Sequence, residues 1–340
     1  MKLYTDHTSG IEAMNHCGSE RQPFVFLVDY ERKNIVISSD LSTACGLHFD
    51  INGVTNSHNS NKEIGSYFFE KYPIELSAYK RGFDIVQRGI QRGDSFLLNL
   101  AYPTKIVTDL TLSQIYQHTT AKYKILLEDK FVCYSPEIFV KIDNGRISSY
   151  PMKGTIDAST SNAQEILLED SKEIAEHYTI VDLIRNDLSR VAKNVTVDRF
   201  RYIDKLITQD KNLLQVSSEI SGTLPEDYHT KIGDILFQLL PAGSISGAPK
   251  KKTLEIIQRA EGIERGYYTG ICGYFDGYNL DSGVMIRFIR QHGEELTYMS
   301  GCGITAMSKV DEEYREMIDK VYLPLALSEN NAKLDRSYEC

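Results

Sequence analysis

The run from Ile166 to Val191 constrains the fold more than any other segment. Its apolar residues Ile174, Tyr178, Val181, Ile184 and Leu188 recur at spacings of three and four, which predicts a long helix. That helix interrupts a chain whose other patterns are largely β. Strand patterns cover Phe24–Val28, Asn34–Ser38, Ser95–Leu100, Phe131–Tyr134, Ile138–Ile142 and Arg146–Ser149. The region Gly266–Thr305 is again β, punctuated by hairpin signals at Asp276-Gly277 and His292-Gly293. Further helices are predicted over Tyr79–Arg92, ending at Gly93, and from near Ser308, with Asp311 as capping partner, to before Pro324. Meandering strands with long helices set between them indicate α+β, not alternating βαβ units. The polar stretch Asn52–Lys62 reads as a surface loop.

A net charge of −9, with no basic run longer than Lys250–Lys252, argues against nucleic-acid binding. Any anionic ligand has to be met by local cations and amides against a repulsive overall field. The six cysteines (Cys17, Cys45, Cys133, Cys272, Cys302 and Cys340) form no CxxC pair and no zinc spacing, so they read as reduced thiols. The first fifteen residues lack the apolar core of a signal peptide, and no apolar run reaches membrane length. The expectation is a cytoplasmic globular protein without membrane contact.

The segment Pro241–Lys250, PAGSISGAPK, places Gly243, Ser244, Ser246 and Gly247 in a loop that can approach an anion closely. Pro249 suits the start of the following helix, which carries Leu254, Ile257 and Ala260 on one stripe and stops at Gly262. A loop feeding a helix is a ready carboxylate or phosphate site, although an ordinary Gly-rich turn reads the same way. The spacing excludes a nucleotide P-loop.

Together with GICGYFDG, SGVMIRFIRQ and the helical IVDLIRNDLSRV, this segment resembles the chorismate-utilising enzymes, from about Arg81 to Leu327. The resemblance implies one α+β chorismate-binding domain, two antiparallel sheets packed face to face with helices outside. Residues 1–80 would be a short β-rich N-terminal portion of the same fold, 81–327 the catalytic core and 328–340 a tail. It also implies roles for particular residues. PMKGT resembles the P-x-K-G-T of aminodeoxychorismate synthases, where anthranilate synthases have alanine at the lysine position. Lys153, expected at a strand end in a turn framed by Pro151 and Gly154, would attack C2 of chorismate and expel the C4 hydroxyl with allylic shift. Ammonia would then enter at C4 and expel the lysine. Gly154 would present its backbone to the substrate.

Two glutamate pairs at i,i+3 spacing, Glu173/Glu176 and Glu313/Glu316, share helix faces. Acids near helix starts are common because the macrodipole favours them. Yet KEIAEHYTIVDLIRND and DEEYREMIDKV match the family's two magnesium-binding segments. The resemblance implies Glu176 and Glu316 as direct Mg²⁺ ligands, with Glu173 and Glu313 acting through water. Arg287, flanked by Met285 and Ile289, suits a substrate carboxylate, with Tyr274 donating its phenol to the same group. Gly301, Cys302 and Gly303 offer a backbone that can meet a carboxylate amide-first, or simply pack tightly. Ser244, Lys250 and Glu137, the last in an SPE element, complete the expected site.

Two departures matter. Gln215 stands where the family has a histidine that assists departure of the C4 hydroxyl, and an amide cannot donate a proton near neutral pH. Leu97 stands where isochorismate and salicylate synthases place a water-activating lysine. No LLES-type tryptophan-binding segment is visible, so tryptophan feedback is not expected. The chain is thus similar to component I of aminodeoxychorismate synthase, on the p-aminobenzoate and folate route. It has no glutaminase signature, so ammonia would come from a separate glutamine amidotransferase subunit or from solution. Anthranilate synthase component I and a non-catalytic chorismate-binding paralogue are the alternatives.

Overall fold

Strand-rich segments pair into two antiparallel sheets. The computed structural model describes residues 1–42, 46–57, 64–169, 171–207, 212–247 and 249–325. The expected tail 328–340, Leu327, Ala248, Cys45, Cys340 and residues 58–62 of the polar stretch lie outside the described residues. A ten-stranded sheet runs Lys2–Tyr4, Ile35–Ser38, Phe24–Val28, Ile271–Phe275, Leu280–Val284, Ile138–Asp143, Arg146–Ser149, Asn212–Thr223 and Met152–Asp157. Its tenth strand, Lys193–Ile207, pairs with the other edge of Asn212–Thr223. An eight-stranded sheet runs Val54–Thr55, Leu47–Ile51, Tyr123–Leu127, Phe131–Ser135, Phe288–His292, Glu295–Ile304, Leu98–Thr108 and Phe69–Tyr72.

The sheets meet face to face across one apolar layer. Val25, Leu27 and Cys272 of the first pack with Phe49, Ile125, Phe131 and Phe288 of the second. Helices cover the outer faces. Met14, Ile180, Ile184, Leu236 and Leu239 bury against the ten-stranded sheet. Phe83, Val86, Ile256, Ile257 and Met317 bury against the eight-stranded one. The expected α+β sandwich is therefore observed. Each half-buried sheet face supplies part of a core, and apolar burial at about 25 cal/mol per Å² holds the layers together. Cys17, Cys133, Cys272 and Cys302 are free thiols. No helix among the described residues is long and apolar enough to cross a membrane.

Two local expectations need correction, and one element was not anticipated. His7–Ser19 is a helix capped by Asp6, whose carboxylate accepts from the Ser9 amide at 2.8 Å. Its buried face is Gly10, Met14 and Gly18, two glycines that allow close packing and a single apolar side chain, which leaves no apolar period to read. The final helix spans Val310–Asp319 with Lys309 at its N-cap and no side-chain cap. Ser308 instead accepts from the Thr305 amide. The strand expected at Ser95–Leu100 spans Leu98–Thr108, because Glu295–Ile304 pairs with it along most of its length.

The Pro241–Lys250 segment is partly helical. Gly243–Ser246 forms a single turn, and the amide of Ser246 donates to the Ala242 carbonyl, so it is not available to an anion. Pro249 caps the next helix, Lys250–Glu261, which Gly262 ends in the left-handed conformation at φ 65°. Gly247 has φ +62°, and a Cβ there would lie 1.6 Å from the Leu97 carbonyl oxygen. Gly247→Ala is therefore expected to destabilise the protein by about 4 kcal/mol or more, beyond the usual range for point substitutions. Chemical denaturation measures it, and a loss below 1 kcal/mol would contradict this packing.

Candidate active site

The edge strand Met152–Asp157 pairs antiparallel with Asn212–Thr223, and the register shifts between Lys153 and Thr155. The shift falls at Gly154, whose φ of +71° only glycine adopts without strain, and a Cβ there would meet Leu167 at 2.8 Å. Lys153 thus lies within a strand at a bulge, and not in the turn expected from PMKGT. The bulge directs its amine into a cavity of about 580 Å³.

The helix Ser171–Leu188 crosses this strand and brings its acids to the amine. Lys153 Nζ donates to Glu176 Oε2 at 2.7 Å. Burial alone would lower the lysine's pKa, but Glu176, Glu173 and Glu316 outweigh it and raise the value. His177, beside Glu176, bonds Ser218 Oγ through Nε2 at 2.7 Å, pinning the helix to the Asn212–Thr223 strand. Burial takes His177 down to about 4, so it is neutral. Glu316 pairs with Lys320 at 2.7 Å. Burial pushes Glu316 up, yet Lys320 and Lys153 hold it below the usual carboxylate range.

The opposite wall comes from the eight-stranded sheet. Side chains alternate along Glu295–Ile304, so Gly301 and Gly303 line the cavity while Cys302 faces away into the apolar cluster with Tyr79 and Met317. A Cβ on Gly303 would lie 3.4 Å from Lys153 Nζ, whereas one on Gly301 would strike the neighbouring strand at the Leu100 carbonyl, 2.7 Å away. Glycine at 303 thus leaves room beside the amine, and at 301 it permits strand packing. The Gly301 carbonyl also accepts from Lys320 Nζ at 3.0 Å.

The expected residues converge unevenly. Lys153, Gly154, Gln215, Glu137, Ser244, Arg287, Gly301, Gly303, Glu173 and Glu316 all line the cavity, and Leu97 supplies an apolar surface. Ser244 Oγ donates to Glu137 Oε1 at 2.5 Å. Burial raises the Glu137 pKa, against the pull of Ser244 and Lys153. Arg287 is not on a strand face. It lies in the link between Leu280–Val284 and Phe288–His292 with φ 55°, and donates to the Lys320 carbonyl at 3.0 Å.

Tyr274 lies outside the cavity lining, within Ile271–Phe275, where it packs toward the inter-sheet core. The tyrosines that line the cavity are Tyr268 and Tyr298. Cys302 is likewise removed from the cavity by strand alternation. Lys250 is turned away too: its Nζ pairs with Asp187 Oδ2 at 2.7 Å and donates to the Leu239 carbonyl at 2.7 Å. Glu313 is buried below the cavity floor, where its carboxylate, that of Glu316 and the Cys302 thiol lie within 4.8 Å of one another.

Among the cavity residues that escaped the sequence reading are Lys320, Tyr268 and Asn99. Lys320 stands one helical turn beyond Glu316, so extending the same helix-face argument by four residues reaches it. Tyr268 and Asn99 carry no such signal. Asn99 Oδ1 is buried without a hydrogen-bond partner among the described residues, a polar atom left for a ligand.

Glu173, Glu176 and Glu316 all act on Lys153, and carboxylate oxygens are the donors a hard divalent cation takes; among the described residues, the ligand atoms that lie within 4.8 Å of one another are those of Cys302, Glu313 and Glu316. The ammonium of Lys153 supplies the compensating charge in this arrangement.

The family description "chorismate binding enzyme" matches residues 47–326. An uncharacterized PabA-like protein of Pasteurella multocida is 53% identical over 318 residues, covering 93% of this chain and 98% of that one. Aminodeoxychorismate synthase component 1 of Bacillus subtilis is 30% identical over 304 residues, covering 84% and 63%. In fold, the chain is similar to the crystal structure of DhbC from Bacillus anthracis, described as an isochorismate synthase. The TM-score is 0.72 at 17% identity over 95% of this chain and 90% of that one.

Proposed function

The chain belongs to the chorismate-binding enzymes, and on that premise we propose that it aminates chorismate at C4 with ammonia. The product would be 4-amino-4-deoxychorismate, formed through a covalent adduct on Lys153 and destined for p-aminobenzoate. The observation that carries this reading is an amine inside the cavity, on a strand bulge, in a site whose Leu97 offers no base for water. A 30% identical relative bearing the aminodeoxychorismate synthase name supports it.

Chorismate brings two carboxylates, and besides Lys153 the cavity offers two further cations, Arg287 and Lys320. The planar guanidinium suits bidentate pairing and Lys320 acts as a point charge. Mg²⁺ held by Glu176 and Glu316, with Glu173 and Glu313 behind them, would supply charge neutralisation for one substrate carboxylate. The nucleophile is the neutral amine of Lys153, which must leave its ion pair with Glu176 and lose a proton. It forms a bond to C2, the double bond shifts, and the C4–O bond breaks. Ammonia then adds at C4, the C2–N bond to Lys153 breaks, and the amine recovers its proton.

The departing hydroxyl needs a proton that Gln215 cannot give. Glu137 is suited to donate it: its carboxyl is enclosed, its pKa is raised by burial, and Ser244 fixes its orientation. Glu137→Gln is therefore expected to lower kcat by about 10²–10⁴-fold, the usual worth of general acid–base catalysis. Burial shifts the Glu137 equilibrium toward the acid form, so the parent's rate should fall as pH rises through that pKa, and the variant should lack this limb. Gln215→His should add a smaller gain and a dependence on imidazolium. An unchanged pH profile for Glu137→Gln would assign the proton to another group.

Ammonia would be supplied by a separate glutamine amidotransferase. Glutamine alone should then give no turnover with this chain, whereas ammonium at alkaline pH should. The adduct tests the reading directly. With chorismate, Mg²⁺ and no nitrogen source, intact mass should rise by the substrate less water, and peptide mapping should locate it at Lys153. Adduct on another residue, or none, counts against it.

A further inference from the structure

Asn99 carries a buried polar atom that the steps above leave unused. Its Oδ1 has no hydrogen-bond partner among the described residues, and the residue lines the cavity. A buried amide oxygen left unpaired costs stability, so a reacting group or ligand is the natural partner to look for. The backbone that carries it is fixed. The Asn99 carbonyl accepts from Arg265 Nη2 at 2.8 Å, and Glu261, which accepts from Arg265 Nε at 2.9 Å, also accepts from the Ala101 amide at 2.8 Å.

Strand register places the amide beside the nucleophile. Asn99 stands opposite Gly303 in the pairing of Leu98–Thr108 with Glu295–Ile304. Residues directly opposite point to the same face, with Cβ atoms about 5 Å apart. A Cβ on Gly303 would lie 3.4 Å from Lys153 Nζ. Across the space that this glycine leaves, the Asn99 amide therefore borders the amine whose resting partner is Glu176.

We propose that Asn99 is a catalytic residue, its amide oxygen accepting an N–H from the Lys153 nitrogen as that nitrogen bonds to C2. This rests on the amination reading above. The neutral amine gives its electron pair to C2, the double bond shifts, and the C4–O bond breaks with the proton from Glu137. The nitrogen is then a secondary ammonium with two hydrogens, and its charge needs an acceptor in place of Glu176. An amide oxygen meets that charge without drawing the proton off, as a carboxylate would. When ammonia bonds to C4, the nitrogen leaves C2 with the electron pair as a neutral amine.

Quenched-flow intact mass with chorismate, Mg²⁺ and no nitrogen source follows this step alone. Asn99→Leu keeps the shape and removes the acceptor. It should slow adduct formation about 10–100-fold, the worth of one hydrogen bond to a charged group. The chorismate concentration for half-maximal rate should be unchanged, and the thermal midpoint should not fall, because no buried partner is lost. Asn99→Gln keeps an amide oxygen and should form adduct faster than Asn99→Leu, a rescue that a packing role would not give. Adduct formation in Asn99→Leu at the parent rate would overturn the inference while leaving the Lys153 adduct standing. So would a loss confined to half-saturation by chorismate, since the amide would then serve substrate binding. A parent protein that forms no adduct at all would sink the amination reading, and this role with it.

Discussion

Lys153→Ala is expected to abolish amination at C4, lowering turnover on the order of 10⁴-fold or more, the scale of deleting a nucleophile from a set of groups that act together. The loss should be large because Lys320, the other lysine lining the cavity, is assigned to a substrate carboxylate, and Lys250 is outside the lining, paired with Asp187. The strand register does not depend on the side chain and Gly303 leaves open space beside it, so the cost to folding is that of leaving Glu176 without its partner, about 3–5 kcal/mol. Ammonia would then be the only nitrogen nucleophile in the cavity, so residual product should carry nitrogen at C2. Steady-state rates and product chromatography check both points. Retention of more than about a tenth of the parent rate would rule out an obligatory lysine adduct, because a lost covalent step costs far more.

Glu176→Gln has the second largest expected effect, and acts in two ways. Loss of one charged oxygen should raise the Mg²⁺ concentration needed for half-maximal rate by about 10–100-fold, and lower the maximal rate as well. It also breaks an ion pair whose partners are 26% and 7% exposed. Breaking a buried pair costs about 3–5 kcal/mol, and the lower end applies here because Glu173 and Glu316 still face the ammonium. The pH dependence follows from the direction of the lysine shift. The folded state raises the Lys153 pKa, so the pair stabilises fully below the ordinary lysine value and the contribution is lost as pH climbs through the raised one. The stability gap between parent and variant should therefore be wide at neutral pH and shrink under strongly alkaline conditions. Metal titrations and denaturation at two pH values measure both. Unchanged Mg²⁺ dependence would leave these acids as ordinary helix-start residues.

Much of this was legible in the sequence because the relevant signals are short-range. Short β-type runs marked Phe24–Val28 and Arg146–Ser149 at their observed bounds. The three-and-four spacing marked the helix that carries Glu173 and Glu176. What was not legible depends on three-dimensional crossing. Tyr274 and Cys302 lie in suitable motifs, yet each faces away from the cavity, and only the pairing of neighbouring strands decides which face is which. Lys250 follows a candidate anion loop but is claimed by Asp187, far away in sequence. The bulge at Gly154 moved Lys153 from an assumed turn into a strand. The His7–Ser19 helix packs through glycines, which carry no hydropathy signal.

The central claim is an outcome of chemistry, and one incubation tests it most directly. The purified chain is mixed with chorismate, Mg²⁺ and ammonium at alkaline pH, and the products are separated by chromatography with and without an added lyase. The account predicts 4-amino-4-deoxychorismate, converted to p-aminobenzoate when the lyase is present. Anthranilate as the major product, or unaltered chorismate, would contradict it.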